Sequence, residues 1–338
     1  MADVFTLDAV PENLVTSFGG NEPRLRVPAG SVVELTTEDC FGGRVRSAED
    51  LPSSVCDLAG LNPVTGPIFV EGAEPGDTLA VHFAEIRPRR DWAVSSTFPH
   101  FGALTGTGTT AMLHEPLEER VWVYEVDVER GVCRFQARNS EFSVELPLDP
   151  FHGTVGVAPA AGERTMSVTP SAHGGNMDTP ELRAGTTVYL PVHEPGAMLA
   201  IGDGHCRQGE GEVCGTAVEA AMSTTVVVDV LKGEQTAWPR LQSDEFIMST
   251  GSAKPLEDAY RVSQRDMVGW VASLTGLDSL DALQLVSQAG LAPTGNVVDP
   301  NYTMVAKMPT ALLGGPDAVW DGVHARLRAV GQEHLERR

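Results

Sequence analysis

Apolar and polar residues alternate in short segments from Phe5 to about Leu231. Clear examples are segments 26–35, 78–83 and 120–126. A period of two places alternate side chains in a core and in solvent, which is typical of half-buried β-strands. Glu-Pro-Gly turn sequences stand just before strand-like segments, at 74–76 and at 194–196. These repeated units predict a mainly β body of jelly-roll or β-sandwich-like type, with a barrel as the other architecture that fits.

Helical periodicity begins only late in the chain. Between 255 and 274, apolar residues recur three or four positions apart, as on the buried face of an amphipathic helix. Segment 278–289 has the same spacing behind a capping aspartate, and a third helix is predicted from about 316 to 335. The apolar segment 294–307 between them predicts a return to strand.

These patterns divide the chain into two regions. A β-rich body is predicted over 1–235, and a smaller α+β region over 236–338. No low-complexity linker separates them, so we expect the second region to pack on the first. A chain of 338 residues buries enough surface to support a concave active site.

The composition is strongly acidic. Lys and Arg total 24 against 46 Asp and Glu, which gives a net charge of −22 and argues against nucleic acid as a partner. No apolar run approaches the roughly 18 residues of a membrane span, and the N-terminus lacks the features of a signal peptide. The five cysteines include no C-x-x-C pair, which is typical of reduced thiols. We therefore expect a cytoplasmic protein that binds neither membranes nor nucleic acid.

Acid-base residues concentrate in a glycine-rich central tract. Asp203 and His205 alternate with Gly202 and Gly204, so an extended backbone sends both side chains to one face. His173, in the preceding glycine-rich segment, adds a second imidazole. A carboxylate with two imidazoles predicts a site for a divalent metal such as zinc. The spacing matches no established zinc motif, so the pattern leaves the metal's identity open.

Further carboxylates flank this predicted site. Glu210 and Glu212 follow within a few residues, and a carboxylate beside a metal site can act as a general base. Glu212 is the better candidate, because the adjacent apolar Val213 indicates burial, which raises the pKa of a carboxyl group. Asp39 precedes two glycines at the end of a predicted strand, where it either joins the metal ligands or caps a turn.

These residues lie in stretches that closely resemble the acetamidase/formamidase family. In chain order the stretches are 39–43 (DCFGG), 62–79 (NPVTGPIFVEGAEPGDTL), 153–159 (GTVGVAP), 173–178 (HGGNMD), 202–205 (GDGH), 209–219 (GEGEVCGTAVE), 246–251 (FIMSTG) and 298–302 (VDPNY). The resemblance is ordered and spans nearly the whole chain.

The resemblance implies an activity and a set of site residues. The expected reaction is hydrolysis of the C–N bond of small carboxamides, such as formamide or acetamide, to a carboxylate and ammonia. The family's fold is of jelly-roll type with an added smaller region, and bound zinc or calcium is associated with it. The positions that match the family's motifs are Asp39, His173, Asn176, Asp178, Asp203, His205 and Glu212.

From these residues we assign roles as hypotheses. The predicted metal ligands are His173, Asp203, His205 and Asp39. The predicted substrate contacts are Asp178, Gly174 and Gly175. Glu212 is predicted to move the proton as the catalytic base, and Asn176 to stabilise the oxyanion of the tetrahedral intermediate.

Two alternatives to a linear amidase stay open. Some relatives act on cyclic amides, so a lactam hydrolase is one. The other is a ligand-binding member of the same fold without activity, because segment 12–20 reads ENLVTSFGG where many relatives carry a histidine. An exposed sheet edge or the late helices are expected to support a homodimer.

Overall fold

The computed structural model describes residues 2–104 and 116–338. Its fold is mainly β, with the long helices near the C-terminus. Two large sheets pack face to face through one hydrophobic core. Ile68 and Ile201 enter this core from one sheet, and Val81 and Phe83 enter it from the other. The predicted mainly β, sandwich-like body with a small helical C-terminal part is therefore confirmed.

The larger sheet has nine strands. In spatial order they are β1 (Val4–Leu7), β5 (Ser31–Thr37), β17 (Met222–Leu231), β7 (Thr78–Pro88), β15 (Thr187–Pro191), β18 (Arg240–Gln242), β19 (Phe246–Ala253), β21 (Tyr302–Pro309) and β20 (Thr294–Asn296). The β1–β5 pair is parallel and the other pairs are antiparallel. Strands from both sides of residue 235 thus share one sheet, and the boundary placed there stays a prediction.

The second large sheet carries the polar tract. Its strands are β14 (Gly174–Asn176), β12 (Phe151–Gly156), β16 (Leu199–His205), β6 (Val64–Glu71) and β2 (Leu14–Val15), with β4 (Leu25–Pro28) parallel to β6. Because β12 lies between β14 and β16, Thr154 pairs with Asn176 on one side and Gly202 on the other. This pairing brings the 173–178 and 202–205 stretches onto adjoining strands.

Two smaller sheets complete the β structure of the described residues. The first is β11 (Ser143–Pro147), β10 (Val132–Gln136), β9 (Arg120–Asp127) and β8 (Trp92–Thr97), all antiparallel. The second pairs β3 (Ser17–Phe18) with β13 (Thr165–Met166). A bridge between Val94 and Glu219 joins β8 to the polar tract.

The α-helices of the described residues are α1 (Pro52–Val55), α2 (Leu256–Thr275), α3 (Ser279–Ala289) and α4 (Val323–Leu335). Helices α2 to α4 lie on the larger sheet, and the short α1 lies in the loop between β5 and β6. The predictions for α2 and α3 are confirmed within a residue, and the Asp278 side chain accepts the amide protons that cap α3. Trp270 of α2 packs against Met308 of β21 in a second core. In the described part of the chain, no helix is long and apolar enough to cross a membrane.

The third predicted helix begins later than expected. Two short 3-10 turns occupy Pro316–Ala318 and Trp320–Gly322, and α4 starts at Val323. Trp320 and Asp321 have φ angles of 44° and 52°, a left-handed conformation that an α-helix does not admit. The prediction of one helix from 316 is therefore wrong in its first turns, because apolar spacing does not report backbone handedness.

Candidate active site

The centre of the site is the end of β16. The Asp203 Oδ1 atom lies 3.3 Å from His205 Nε2, and both side chains are buried. Gly153, on the neighbouring strand, leaves space for the carboxylates of Asp203 and Asp178, because a Cβ there would overlap oxygens of both. The two acids therefore approach each other only because residue 153 has no side chain.

Glu219 completes the surroundings of His205. Its Oε2 atom lies 3.2 Å from His205 Nε2, across an antiparallel bridge between the two residues. Gln208 donates its amide protons to the carbonyls of Asp178 and Gly295, so its Oε1 faces His205 Nδ1 at 3.0 Å. That oxygen can only accept, which makes Nδ1 the donor and turns Nε2 toward the carboxylates.

Asn176 donates hydrogen bonds to two further carboxylates. Its Nδ2 donates to Asp178 Oδ2 at 2.8 Å and to Asp299 Oδ2 at 2.9 Å. Its Oδ1 accepts from Asn62 Nδ2 at 2.7 Å and from the Thr154 hydroxyl. Both amide protons are thus engaged by carboxylates, and in this geometry Asn176 positions acids rather than presenting a proton to a substrate oxyanion.

Several of these polar residues have an uncommon backbone conformation. The φ angles are 52° at Asn62, 45° at Asp178, 55° at Asp203 and 49° at Glu212. A positive φ is disfavoured for residues with a Cβ, and such conformations persist where the surrounding structure imposes them. Non-glycine residues of this kind cluster at functional sites, so their concentration here marks the polar tract as one.

Burial shapes the electrostatics of the cluster. Burial raises the pKa of Glu219 and that of Asp299 to about 7. It also raises the pKa of Glu212 and Asp178 well above the usual carboxyl range, and neighbouring acids add to both effects. Each of these four groups therefore holds a proton at a higher pH than an exposed carboxyl group does.

The pair at the centre behaves differently. Burial disfavours the charged imidazolium, but the Glu219 and Asp203 carboxylates raise the pKa of His205 well above its usual value. Burial likewise opposes ionisation of Asp203, and the adjacent His205 outweighs it and lowers the pKa of Asp203. The cluster therefore brings several acidic groups and one imidazole to a single buried point.

The donor set fits a divalent metal ion. In the described part of the chain, Asp178 Oδ1, Asp203 Oδ1, His205 Nε2 and Glu219 Oε2 are buried and make no hydrogen bond. The side chains form two groups of possible ligands, and within each group the ligand atoms lie within 4.8 Å of one another. One group is Asp178, His205 and Glu212, and the other is Cys40, Asp203 and Glu219. Unpartnered buried carboxylates are costly unless they are paired or coordinate a metal. Oxygen donors with an imidazole and a thiol suit zinc better than calcium.

Two predicted metal ligands lie outside this cluster. Asp39 accepts the amide protons of Phe41 and Gly43 through Oδ1 and pairs with Arg90 through Oδ2 at 2.9 Å, so it caps its turn. His173 lies three residues before Asn176 and packs edge-on against Phe18, with ring centroids 5.1 Å apart. Neither belongs to the two groups of possible ligands found among the described residues.

The remaining predicted residues divide between the site and its support. Glu212 is buried and lines the cavity that opens onto the cluster, whereas the exposed Glu210 accepts the amide proton of Thr294 at 2.8 Å. Gly174 and Gly175 have φ angles of 94° and 93° and pass close to β12 and to Thr169, where a Cβ would overlap backbone oxygens. The two glycines therefore allow neighbouring backbone segments to approach closely. They are not among the described residues that line the cavity.

Sequence analysis missed several residues of the cluster. Glu219, Asp299, Cys40 and Asn62 all lie in the stretches that carried the family resemblance, but none received a role. Glu219 meets His205 only through a strand bridge, and Asp299 reaches Asn176 from 123 positions away in the chain. Such long-range partners have no local signature. The one local signal is their place inside the stretches that resemble the family.

A cavity of about 360 Å³ opens onto this cluster. Its polar end is formed by Asn176, Asp203, Glu212, Glu219 and Asp299. Its walls are largely apolar and include Phe41, Leu61, Phe98, Phe101, Met166 and Val168. Convergent acids at the end of an apolar cavity are the usual form of an enzyme site for a small molecule.

Comparison with known proteins gives a consistent result. The profile of the Acetamidase/Formamidase family matches residues 22–162 and 152–310. An acetamidase of Mycolicibacterium smegmatis is 27% identical over an alignment of 264 positions, and the match covers 61% of this chain and 63% of that protein. The match therefore spans less than two thirds of the length of that relative.

Solved structures give broader matches. A crystal structure of an acetamidase from Yersinia enterocolitica is 40% identical, covers 92% of this chain and 93% of its own, and superposes with a TM-score of 0.86. A gamma lactamase from Delftia acidovorans is 22% identical, covers 91% and 93% of the two chains, and has a TM-score of 0.61. At 22% identity, the match to the gamma lactamase supports a shared fold and nothing more.

Proposed function

The chain belongs to the acetamidase/formamidase family, and from this premise we propose that it is an amidase. The reaction is hydrolysis of the C–N bond of linear primary carboxamides, such as formamide or acetamide, to a carboxylate and ammonia. The observation that supports the proposal is the set of buried atoms of Asp178, Asp203, His205 and Glu219 that make no hydrogen bond. Asp203 and Glu219 also line the cavity. Hydrolysis of an amide needs a polarised carbonyl and a base beside it, and this cluster offers groups for both.

Asp178, Asp203, His205 and Glu219 would hold a divalent cation, with the Cys40 thiol at the edge of the site. The imidazole and the thiol favour zinc, and calcium is the second candidate. When bound, such a cation supplies Lewis-acid polarisation of the substrate carbonyl.

Glu212 has the properties of the proton carrier. Its carboxylate lines the cavity and lies beside Asp178 and His205. Burial raises the pKa of Glu212, which makes its carboxylate a stronger base than an exposed one. Glu212 takes a proton from the water that attacks the amide carbon. It returns that proton to the leaving nitrogen as the C–N bond breaks, so the products are the carboxylic acid, ionised at neutral pH, and ammonia.

Two amide side chains position the reacting groups. Gln208 fixes the orientation of His205 through its bond to Nδ1. Asn176 holds Asp178 and Asp299 at hydrogen-bond distance and so limits repulsion between the two acids. The apolar walls exclude water from the rest of the cavity, which strengthens the electrostatic interactions at its polar end.

The test is ammonia release from formamide, acetamide, propionamide and a γ-lactam by the purified protein. Metal content is measured on the same preparation, before and after chelation. Release from the linear amides that falls on chelation and returns with zinc is the expected result. Faster turnover of the γ-lactam would favour the lactam hydrolase. No release from a folded, metal-loaded protein would favour a ligand-binding member and overturn the proposal.

A further inference from the structure

The cavity is larger and more apolar than formamide or acetamide requires. Its walls come from four separate parts of the chain: Phe41 and Leu61 lie on two loops, Phe98 and Phe101 follow β8, and Met166 and Val168 lie at and after β13. Phe41 is 5% exposed, and Gly215 lies so close to the Phe101 ring that a Cβ would stand 2.7 Å from it. Phe41 and Phe101 are therefore held in place by the surrounding residues.

The volume sets the size of the occupant. At about 30 Å³ for each water-sized atom, the 360 Å³ of the cavity holds roughly twelve non-hydrogen atoms. Acetamide would fill about a third of that space and leave water against the apolar walls. An acyl group that displaced this water would be bound more tightly, by about fourfold for each buried methylene group.

We propose that the preferred substrates are primary carboxamides with an apolar acyl group, aromatic or aliphatic, of about six to nine non-hydrogen atoms. This inference rests on the proposed amidase function. The carboxamide reaches the acids at the polar end, and the acyl group lies between Phe98, Phe101 and Val168. Hexanamide and phenylacetamide represent the two shapes.

The apolar walls also disfavour substrates whose acyl group carries a charge. The carboxylates of Asp203, Glu212, Glu219 and Asp299 lie at the polar end of the cavity. An acyl group that ended in a carboxylate would lose its hydration against the apolar walls. Succinamate, which has such a charged end, is therefore expected to be a poor substrate although its length suits the cavity.

The first experiment compares kcat/KM for acetamide, butyramide, hexanamide, phenylacetamide and succinamate. Hexanamide and phenylacetamide are expected to exceed acetamide by about tenfold or more, since part of the acyl group lies near the open mouth. Succinamate is expected to fall below butyramide. Turnover that declines from acetamide to hexanamide would overturn this inference and leave the amidase function standing.

A variant of the wall tests where the acyl group lies. Val168→Phe fills part of the cavity and is expected to lower the ratio of kcat/KM for phenylacetamide to that for acetamide by about fivefold or more. Val144→Phe makes the same change on β11, at a residue that is 40% exposed and outside the described cavity lining, and is expected to leave the ratio unchanged. An unchanged ratio in Val168→Phe would place the acyl group elsewhere.

Failure of the amidase function has its own outcome. If no amide is hydrolysed by the metal-loaded protein, calorimetric titration with phenylacetamide and with acetamide decides the ligand class separately. Binding of phenylacetamide about tenfold tighter than that of acetamide would support the inference in a protein that is not an amidase. Equal or undetectable binding of both would overturn it.

Discussion

Glu212 combines burial, a place on the cavity wall and a left-handed backbone with φ of 49°. Glu210 lies two positions away, yet it is exposed and occupied with the amide of Thr294. Because the two glutamates share one glycine-rich segment, they form a matched pair for testing the role of a carboxylate in this cluster.

The first prediction is that Glu212→Gln lowers kcat for acetamide by about 10²–10⁴-fold, since the amide cannot accept a proton. Glu210→Gln is expected to stay within about twofold of the unchanged protein, because its side chain lies outside the cluster. Both variants should retain the metal by elemental analysis. A Glu212→Gln protein with undiminished kcat would remove Glu212 from the proton-carrying role.

The second prediction concerns stability. Asn176→Ala removes the donor shared by Asp178 and Asp299 and leaves both acids without that bond. We expect it to lower the free energy of unfolding by about 2–4 kcal/mol, measured by urea denaturation. Asn13→Ala, which loses one exposed hydrogen bond, should cost less than about 0.5 kcal/mol. A similar decrease in the free energy of unfolding in both variants would contradict a stabilising role for the hydrogen bonds from Asn176 to the two acids.

Some residues of the acidic cluster could be predicted from the sequence, and others could not. Asp203 and His205 could be predicted as one constellation because both lie on the same strand, two positions apart. His173 could not be separated from the predicted ligands, because its place outside the two groups of possible ligand atoms depends on how the 173–178 segment folds. Glu219 could not be found, because it meets His205 across a bridge between two different segments.

At the scale of elements, α4 is held on the larger sheet by a buried polar contact. The Thr187 hydroxyl on β15 lies 2.9 Å from His82 Nδ1 on β7 and 2.8 Å from His324 Nδ1 on α4. His324 also lies 3.3 Å from Asp244, which pairs with Arg328. Burial lowers the pKa of His82 to about 3, and the positive charges of His324 and Arg328 add to the effect.

The third prediction follows from this shift. The unfolded chain binds a proton at His82 below about pH 6.5, whereas the folded protein does so only near pH 3, so the free energy of unfolding falls as the pH falls through 6.5. Between pH 6.5 and pH 5, the free energy of unfolding of His82→Gln should therefore fall by roughly 2 kcal/mol less than that of the unchanged protein. Urea denaturation at both pH values measures this, with the exposed His100→Gln as the control. Equal acid sensitivity in His82→Gln and His100→Gln would contradict the account.

Helices α2 and α3 could be predicted closely, because apolar spacing and the Asp278 cap are local signals. The late start of α4 could not, because the left-handed residues Trp320 and Asp321 interrupt a segment whose apolar pattern continues. The limits of the prediction thus follow the backbone conformations that hydrophobic periodicity does not encode.

At the scale of the whole molecule, the alternating pattern predicts two packed sheets but not their strand order. β5, β17 and β7 are neighbours in the larger sheet, although more than a hundred residues separate β7 from β17 in the chain. The same long-range pairing assembles the acidic cluster. A protein with a net charge of −22 thus concentrates several buried acids at one point, where a cation is expected to stabilise the fold.

The fourth prediction is that adding zinc to the chelated protein, at about 100 times the dissociation constant, raises the free energy of unfolding by about 2.7 kcal/mol. Differential scanning calorimetry should detect this as a higher Tm. Asp203→Asn should remove most of the shift, whereas Asp91→Asn, at an exposed position, should retain it. A full shift in Asp203→Asn would place the cation elsewhere.

The most direct measurement is the formation of ammonia and acetate from acetamide by the zinc-loaded protein and by its Asp203→Asn variant. Equal amounts of the two products are expected from the unchanged protein, and the rate in the variant is expected to be lower by at least about 100-fold. Product formation at the same rate in both, or none from a folded and zinc-loaded protein, would contradict the assignment of the acidic cluster as an amidase site.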